Sequence, residues 1–109
     1  MKKVKIISWS SKTPDGDVTD SNINIINYVT HIGVQNEKLA GFDIMRKLNR
    51  IGVQLDKAQK LINDKKEGEM EFEEDDFKLI IGFIEKHAPG VWGGNKDIMN
   101  AVEEIMKLK

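Results

Sequence analysis

The sequence predicts an α+β fold, mostly helical, in which a short N-terminal strand or hairpin is followed by three to four helices packed around one core. Two patterns support this prediction: a β-prone run with turn residues stands near the N-terminus, and apolar residues recur at helical spacing farther along. The length of 109 residues is the usual size of one domain, so we expect a single domain over 1–109.

The composition narrows the classes of function. Charged residues make up 32% of the chain, against about 25% in average domains, which suits well-solvated helices. The net charge of −1 gives no overall attraction to nucleic acid or to an anionic membrane. Cysteine is absent, which excludes disulfides, thiolate metal ligands and cysteine nucleophiles. Because no apolar run approaches the roughly 20 residues that cross a bilayer, and none suits a signal peptide, we expect a cytoplasmic protein without membrane contact.

Residues 1–20 are predicted to form a strand and a turn. A β-prone run comes first, and the Thr13–Asp17 segment that follows it has the chemistry of a turn. Val18 and Thr19 can start a returning strand. The run consists of Val4, Ile6, Ile7 and Trp9.

Residues 21–32 form either a short helix or a second strand. The helix would be capped by Asp20 or Ser21 and would bury an apolar face. The strand is the alternative because this window is rich in Asn and β-branched residues, which are poor helix formers. The inward side chains of the helix would be Ile23, Ile26 and Val29, with Tyr28 and Ile32 beside them.

Residues 38–62 carry the clearest pattern in the chain, an amphipathic helix. Apolar side chains recur in alternating steps of four and three, and Met45 and Leu61 are expected to broaden this stripe. Gly52 lies inside the helix at a cost of about 1 kcal/mol relative to Ala, so it marks close helix packing or a kink. The stripe, here called the seam, consists of Ile44, Leu48, Ile51, Leu55, Ala58 and Ile62.

The C-terminal half of the chain predicts two further helices. Residues 69–73 can form one short strand, because apolar side chains alternate there with glutamates. A helix is expected over 74–87, with carboxylates in its first turn and with Pro89 and Gly90 ending it. The last helix is expected over 95–108.

The seam has two interpretations. It docks on the rest of the domain, or it pairs with a copy of itself, because a small chain has limited core and a shared helix face buries more apolar area. The seam is therefore a candidate interaction site.

The polar side of the same helix is basic. Lys47, Arg50, Lys57 and Lys60 can contact phosphates, which would make the chain a binder of nucleic acid or a nucleotide. No helix-turn-helix or RNA-binding motif accompanies them. Residues 67–76 form an acidic block without Lys or Arg. The basic side therefore either binds phosphate or pairs with this block.

The segment Gly90–Lys96 precedes the last helix. The amides at the start of that helix, with Lys96 nearby, can hold a phosphate, although the segment lacks the spacing of a Walker loop. The other interpretation is a helix connection that Trp92 anchors in the core. Both interpretations stay open from the sequence.

The remaining polar residues do not form a catalytic or metal motif. Asp15, Asp17 and Asp20 lack the later Gly and Glu of an EF-hand, so they indicate a turn. His31 and His87 are far apart in sequence and neither has ligand spacing. We expect no cofactor, no metal and no catalytic residue.

The order of these elements, together with the acidic Met70–Asp76 start of a helix, resembles small uncharacterised accessory proteins of tailed bacteriophages or prophages. The resemblance spans most of the chain and implies an accessory protein in the host cytoplasm, with no catalytic residues to transfer. Our leading hypothesis is a non-enzymatic protein-interaction or assembly module that acts as an oligomer. The alternative is a protein that binds nucleic acid or a nucleotide through the basic side or the loop near Lys96.

Overall fold

Four helices and two small antiparallel sheets form the computed structural model of the chain, which describes residues 1–92 and 95–109. The fold class is α+β and mostly helical, as predicted. The strands are β1 (Lys2–Lys5), β2 (Ser8–Thr13), β3 (Gly16–Ser21) and β4 (Glu69–Phe72), and the helices are α1 (Asn22–Asn36), α2 (Phe42–Asn63), α3 (Glu74–Trp92) and α4 (Lys96–Met106).

The N-terminal β-prone run is divided between two sheets. β1 pairs with β4, which brings Val4 opposite Met70, and β2 pairs with β3 to form a hairpin. The buried side chain of Asn22 lies at the division: its Nδ2 donates to the Lys5 carbonyl at 2.8 Å, and its Oδ1 accepts from the Ile7 amide at 3.2 Å. These bonds occupy the backbone groups that a continuous strand would use.

Residues 22–32 are helical, α1 continues to Asn36, and Ser21 is the last residue of β3. Burial explains why helix overrides the strand-like composition, because Ile25, Ile26 and Val29 are all buried between other elements. Gly33 lets α1 approach α3 closely, since a Cβ at this position would lie 2.2 Å from Cδ1 of Phe83. α1 and α3 therefore pack tightly against each other.

α2 begins at Phe42 rather than at residue 38. Lys38 and Gly41 have φ angles of 52° and 105°, so the backbone before Phe42 is left-handed or extended and does not continue a right-handed helix. Lys38 consequently belongs to the connection between α1 and α2. The helix ends at Asn63, and Lys65 follows with a φ of 56°.

α3 runs through Pro89 and Gly90 to Trp92, whereas the sequence predicts that these two residues end the helix. Proline has no backbone N–H, so it removes one helical hydrogen bond. At Pro89 the missing bond lies near the end of the helix. Trp92 packs against both hydrophobic clusters of the molecule, which stabilises the last turn. Its ring centroid lies 5.7 Å from that of Tyr28 on α1.

The core lies between α1, α3, the β1–β4 ribbon and the inner side of α2. A smaller cluster beneath α4 consists of Ile25, Ile98 and Ala101, with Trp9 packed beside it. In the described part of the chain, no helix is long and apolar enough to cross a membrane.

Candidate interaction surface on helix α2

The predicted seam of α2 faces the domain, but its two ends differ from its middle. Ile51, Leu55 and Ala58 are buried in the core, which explains the helical periodicity of the sequence. Ile62 is half-buried and packs against the same core. Ile44 and Leu48, nearer the start of the helix, are also half-buried. The seam is therefore mainly a core surface.

A second apolar set lies on the other side of α2. Phe42, Met45 and Val53 are 74%, 62% and 43% exposed. Successive residues of a helix are about 100° apart, so Phe42 and Val53 lie roughly opposite Ile51 and Leu55, and Met45 lies about 80–120° around the helix from them. We call this surface the outer face of α2 and define it as Phe42, Met45, Asn49, Gly52 and Val53.

The outer face was missed by the sequence interpretation, which placed Met45 beside the buried seam. The signal is present: Phe42, Met45, Asn49 and Gly52 follow each other at steps of three, four and three, the spacing of a helix-packing surface. The much stronger seam of the same helix conceals this spacing. Exposure separates the two sets, and exposure depends on the tertiary packing.

Gly52 is the small residue of the outer face. A Cβ built on Gly52 meets no atom within 4 Å among the described residues, in contrast to Gly33. Gly52 is half-buried at the edge of the outer face, where it lines a groove between α1 and α2 with Leu48, Leu55 and His31. Packing within the described chain thus gives no reason for a glycine here.

Arg50 is bound within the chain. Its Nε and Nη2 each donate to a different carboxylate oxygen of Asp76 at 2.8 Å, which is a bidentate ion pair. Asp76 is 1% exposed and Arg50 about half exposed. The hydrogen bonds to Asp76 raise the pKa of Arg50 above its usual value. For Arg50, pairing with the acidic block is the interpretation that the structure shows.

The other predicted cations do not converge with Arg50 on one site. Lys57 and Lys60 are exposed on α2, and Lys47 is half-buried nearer the start of that helix. Lys96 is exposed at the start of α4, which packs on α1 and α3. Lys96 therefore lies on a different helix from Lys47, Lys57 and Lys60.

The start of α4 is partly capped by its own sequence. Asn95 Oδ1 accepts a hydrogen bond from the Ile98 amide at 3.1 Å, so one of the amides available to a phosphate is occupied. The Gly93–Gly94 part of the predicted loop lies outside the described residues. Trp92, the predicted loop anchor, is the last residue of α3 and lines an apolar groove between α3 and α4 with Met99.

Two glutamates of the acidic block lie on β4, next to β1. Lys3 and Lys5 stand opposite Glu71 and Glu69 across the β1–β4 ribbon. The amide of Glu71 also donates to Oε1 of Gln54 on α2 at 3.2 Å, which fixes the ribbon against that helix. Most carboxylates of the block are exposed, and Asp76 is the buried exception.

The two histidines lie on different helices. His31 Nε2 lies 3.3 Å from Gln35 Nε2 on the exposed side of α1. His87 Nε2 lies 3.0 Å from Oε2 of Glu37, and Lys86 Nζ lies 3.0 Å from Oε1 of the same carboxylate. The hydrogen bonds to His87 and Lys86 lower the pKa of Glu37. Within residues 1–92 and 95–109, no group of His, Asp and Glu has the arrangement of a metal site.

The comparisons with known proteins give no relative, so the proposed function depends on the geometry of the chain. No protein-family model, no curated protein and no solved structure matches this sequence or this fold.

Proposed function

We propose that this chain is a non-enzymatic protein-interaction module that assembles with a partner helix through the outer face of α2. The exposure of Phe42, Met45 and Val53 on one side of that helix carries the proposal. Single exposed apolar residues are normal, but three on the solvent side of one helix form a patch of the kind that helices use to pack together.

The role of an accessory protein of a phage or prophage fits this proposal. Such a protein acts in the host cytoplasm as part of an assembly, and the resemblance in element order supports it. The chain then works by presenting a fixed surface: the buried seam and the Arg50–Asp76 ion pair anchor α2 to the domain. The outer face then binds the partner.

A photoreactive benzoyl-phenylalanine at position 45 tests the proposal. Its matched control replaces Met99, which is 51% exposed on α4, against 62% for Met45. The tagged variants are irradiated in cells that express the gene, and the adducts are identified by mass spectrometry. We expect position 45 to give adducts with polypeptide several-fold more often than position 99.

Three results would contradict the proposal. These are the absence of adducts from position 45, equal yields from positions 45 and 99, and adducts of position 45 with nucleic acid alone. The last result would support the alternative function, in which Lys57 and Lys60 contact phosphates.

A further inference from the structure

The charges beside the outer face of α2 follow an order along the helix. Arg46 lies near the N-terminal end of the outer face, while Asp56 and Lys60 lie beyond its C-terminal end. All three side chains are exposed, and Arg46 lies 3.7 Å from Asp43 in a weak pair one turn apart. Arg46 therefore lies among the first apolar residues of the face, and Asp56 lies one turn beyond the last of them.

We infer that the partner of this face is a second copy of the chain, with the two α2 helices antiparallel about a two-fold axis. This inference rests on the proposed function and adds the identity of the partner. The axis passes between Asn49 and Val53, so that each Asn49 lies opposite Val53 of the other copy. In this register Arg46 lies opposite Asp56 of the other copy, and by symmetry the same contact forms twice.

The same register suits the apolar residues. Phe42, which is 74% exposed, lies opposite Lys60 of the other copy, where an ammonium group can stand over the aromatic ring. Met45 lies opposite the aliphatic stem of Lys57. Asn49 and Val53, which lie closest to the axis, form the centre of the contact.

Charge decides between the two directions of packing. A parallel pair would place Arg46 beside Arg46, Asp56 beside Asp56 and Lys60 beside Lys60 of the other copy, and each of these contacts is repulsive. The antiparallel pair replaces the first two repulsions with two attractions. A second copy therefore complements the surface only in the antiparallel direction.

The size of the surface sets the expected strength of the contact. A standard interface buries about 800 Å² on each partner, which is more than Phe42, Met45 and Val53 supply. The pair should therefore be weak and should dissociate as salt rises, because its ion pairs are exposed. Sedimentation equilibrium at low salt, over a wide range of protein concentration, is the suitable measurement.

Charge reversal tests the inference. In the antiparallel pair, Arg46→Asp places a second carboxylate against Asp56 of the other copy, and Asp56→Arg places a second guanidinium against Arg46 of the other copy. We expect each variant alone to dimerise about tenfold or more weakly than the wild type. An equal mixture of the two variants should form a heterodimer with close to the wild-type dissociation constant, because both contacts are again attractive. Lys78→Asp, on the exposed side of α3, is the control that carries the same charge change as Arg46→Asp and should dimerise normally.

Four outcomes would overturn the inference. They are a wild-type chain that stays monomeric at every concentration, single reversals that dimerise normally, a mixture that remains monomeric, and a Lys78→Asp variant that is weakened as much as Arg46→Asp. Circular dichroism shows whether each variant is folded, and the heterodimer keeps the test decisive because both variants must fold to form it. Crosslinks from position 45 to a different protein would leave the proposed function standing while rejecting the second copy.

Discussion

Two glycines inside helices have opposite surroundings. A Cβ on Gly33 would overlap the ring of Phe83 at 2.2 Å, while a Cβ on Gly52 meets no atom within 4 Å among the described residues. The first glycine is required by the packing of α1 on α3. The second lines the groove between α1 and α2, and it lowers the helix propensity of α2 without a gain in intramolecular packing.

These surroundings predict opposite effects of alanine. Gly33→Ala should lower the free energy of unfolding by about 1–3 kcal/mol, because the core must shift to admit the methyl group. Gly52→Ala should raise it by about 0.5–1 kcal/mol, because alanine is the better helix former. Urea denaturation measures both, and Gly82→Ala is the control, since a Cβ at Gly82 on α3 also meets open space. A Gly52→Ala variant less stable than the wild type would contradict the open surroundings of Gly52.

Helices α1 and α3 are also linked by a polar contact at the surface of their interface. Glu37, directly after α1, accepts from Lys86 and hydrogen-bonds to His87, and these contacts lower its pKa. A carboxylate with a lowered pKa stabilises the folded state above its unfolded pKa, and this contribution is lost as the pH falls through the folded pKa.

The stability of the chain should therefore respond to acid through Glu37. The melting temperature of the wild type should fall more steeply below about pH 4 than that of Glu37→Gln. Near neutral pH the variant should melt at a lower temperature, and the difference should vanish in acid. Differential scanning calorimetry of both proteins between neutral and acid pH measures this. Parallel pH profiles would show that the contact does not contribute.

Sequence periodicity predicts an element when its buried side chains recur at a single spacing along the chain. The middle of the seam, Ile51 to Ala58, is the clearest example, because a single buried side of a long helix imposes spacing on its own residues. The break between β1 and β2 has no such local signal. It depends on the side chain of Asn22, which reaches back 15 and 17 residues along the chain to Ile7 and Lys5.

The outer face of α2 is only partly predictable from the sequence. Its spacing can be read from the sequence, but the same residue types form the core, and Met45 was assigned to the wrong side for this reason. The continuation of α3 through Pro89 has a similar cause, because the packing of Trp92 outweighs a local stop signal. Tertiary packing determines both the side of α2 on which Met45 lies and the residue at which α3 ends. No local pattern in the sequence shows that packing.

At the scale of the whole molecule, α2 has a core side and an exposed outer face. The β1–β4 ribbon, α1 and α3 cover the inner side, and Arg50 and Gln54 bind α2 to the start of α3 and to β4. The acidic block is partly opposed by lysines of β1. The outer face is thus held in a fixed orientation. This favours binding, because little conformational entropy is lost when a partner binds.

The oxidation of two methionines tests this account most directly. Met45 on the outer face and Met99 on α4 are similarly exposed, at 62% and 51%, so peroxide should oxidise both at similar rates in the dilute, purified chain. In cells that express the gene, Met45 should be protected several-fold and Met99 should not, as measured by mass spectrometry of the peptides. Equal oxidation of Met45 and Met99 under both conditions would contradict the assignment of the outer face as the contact surface.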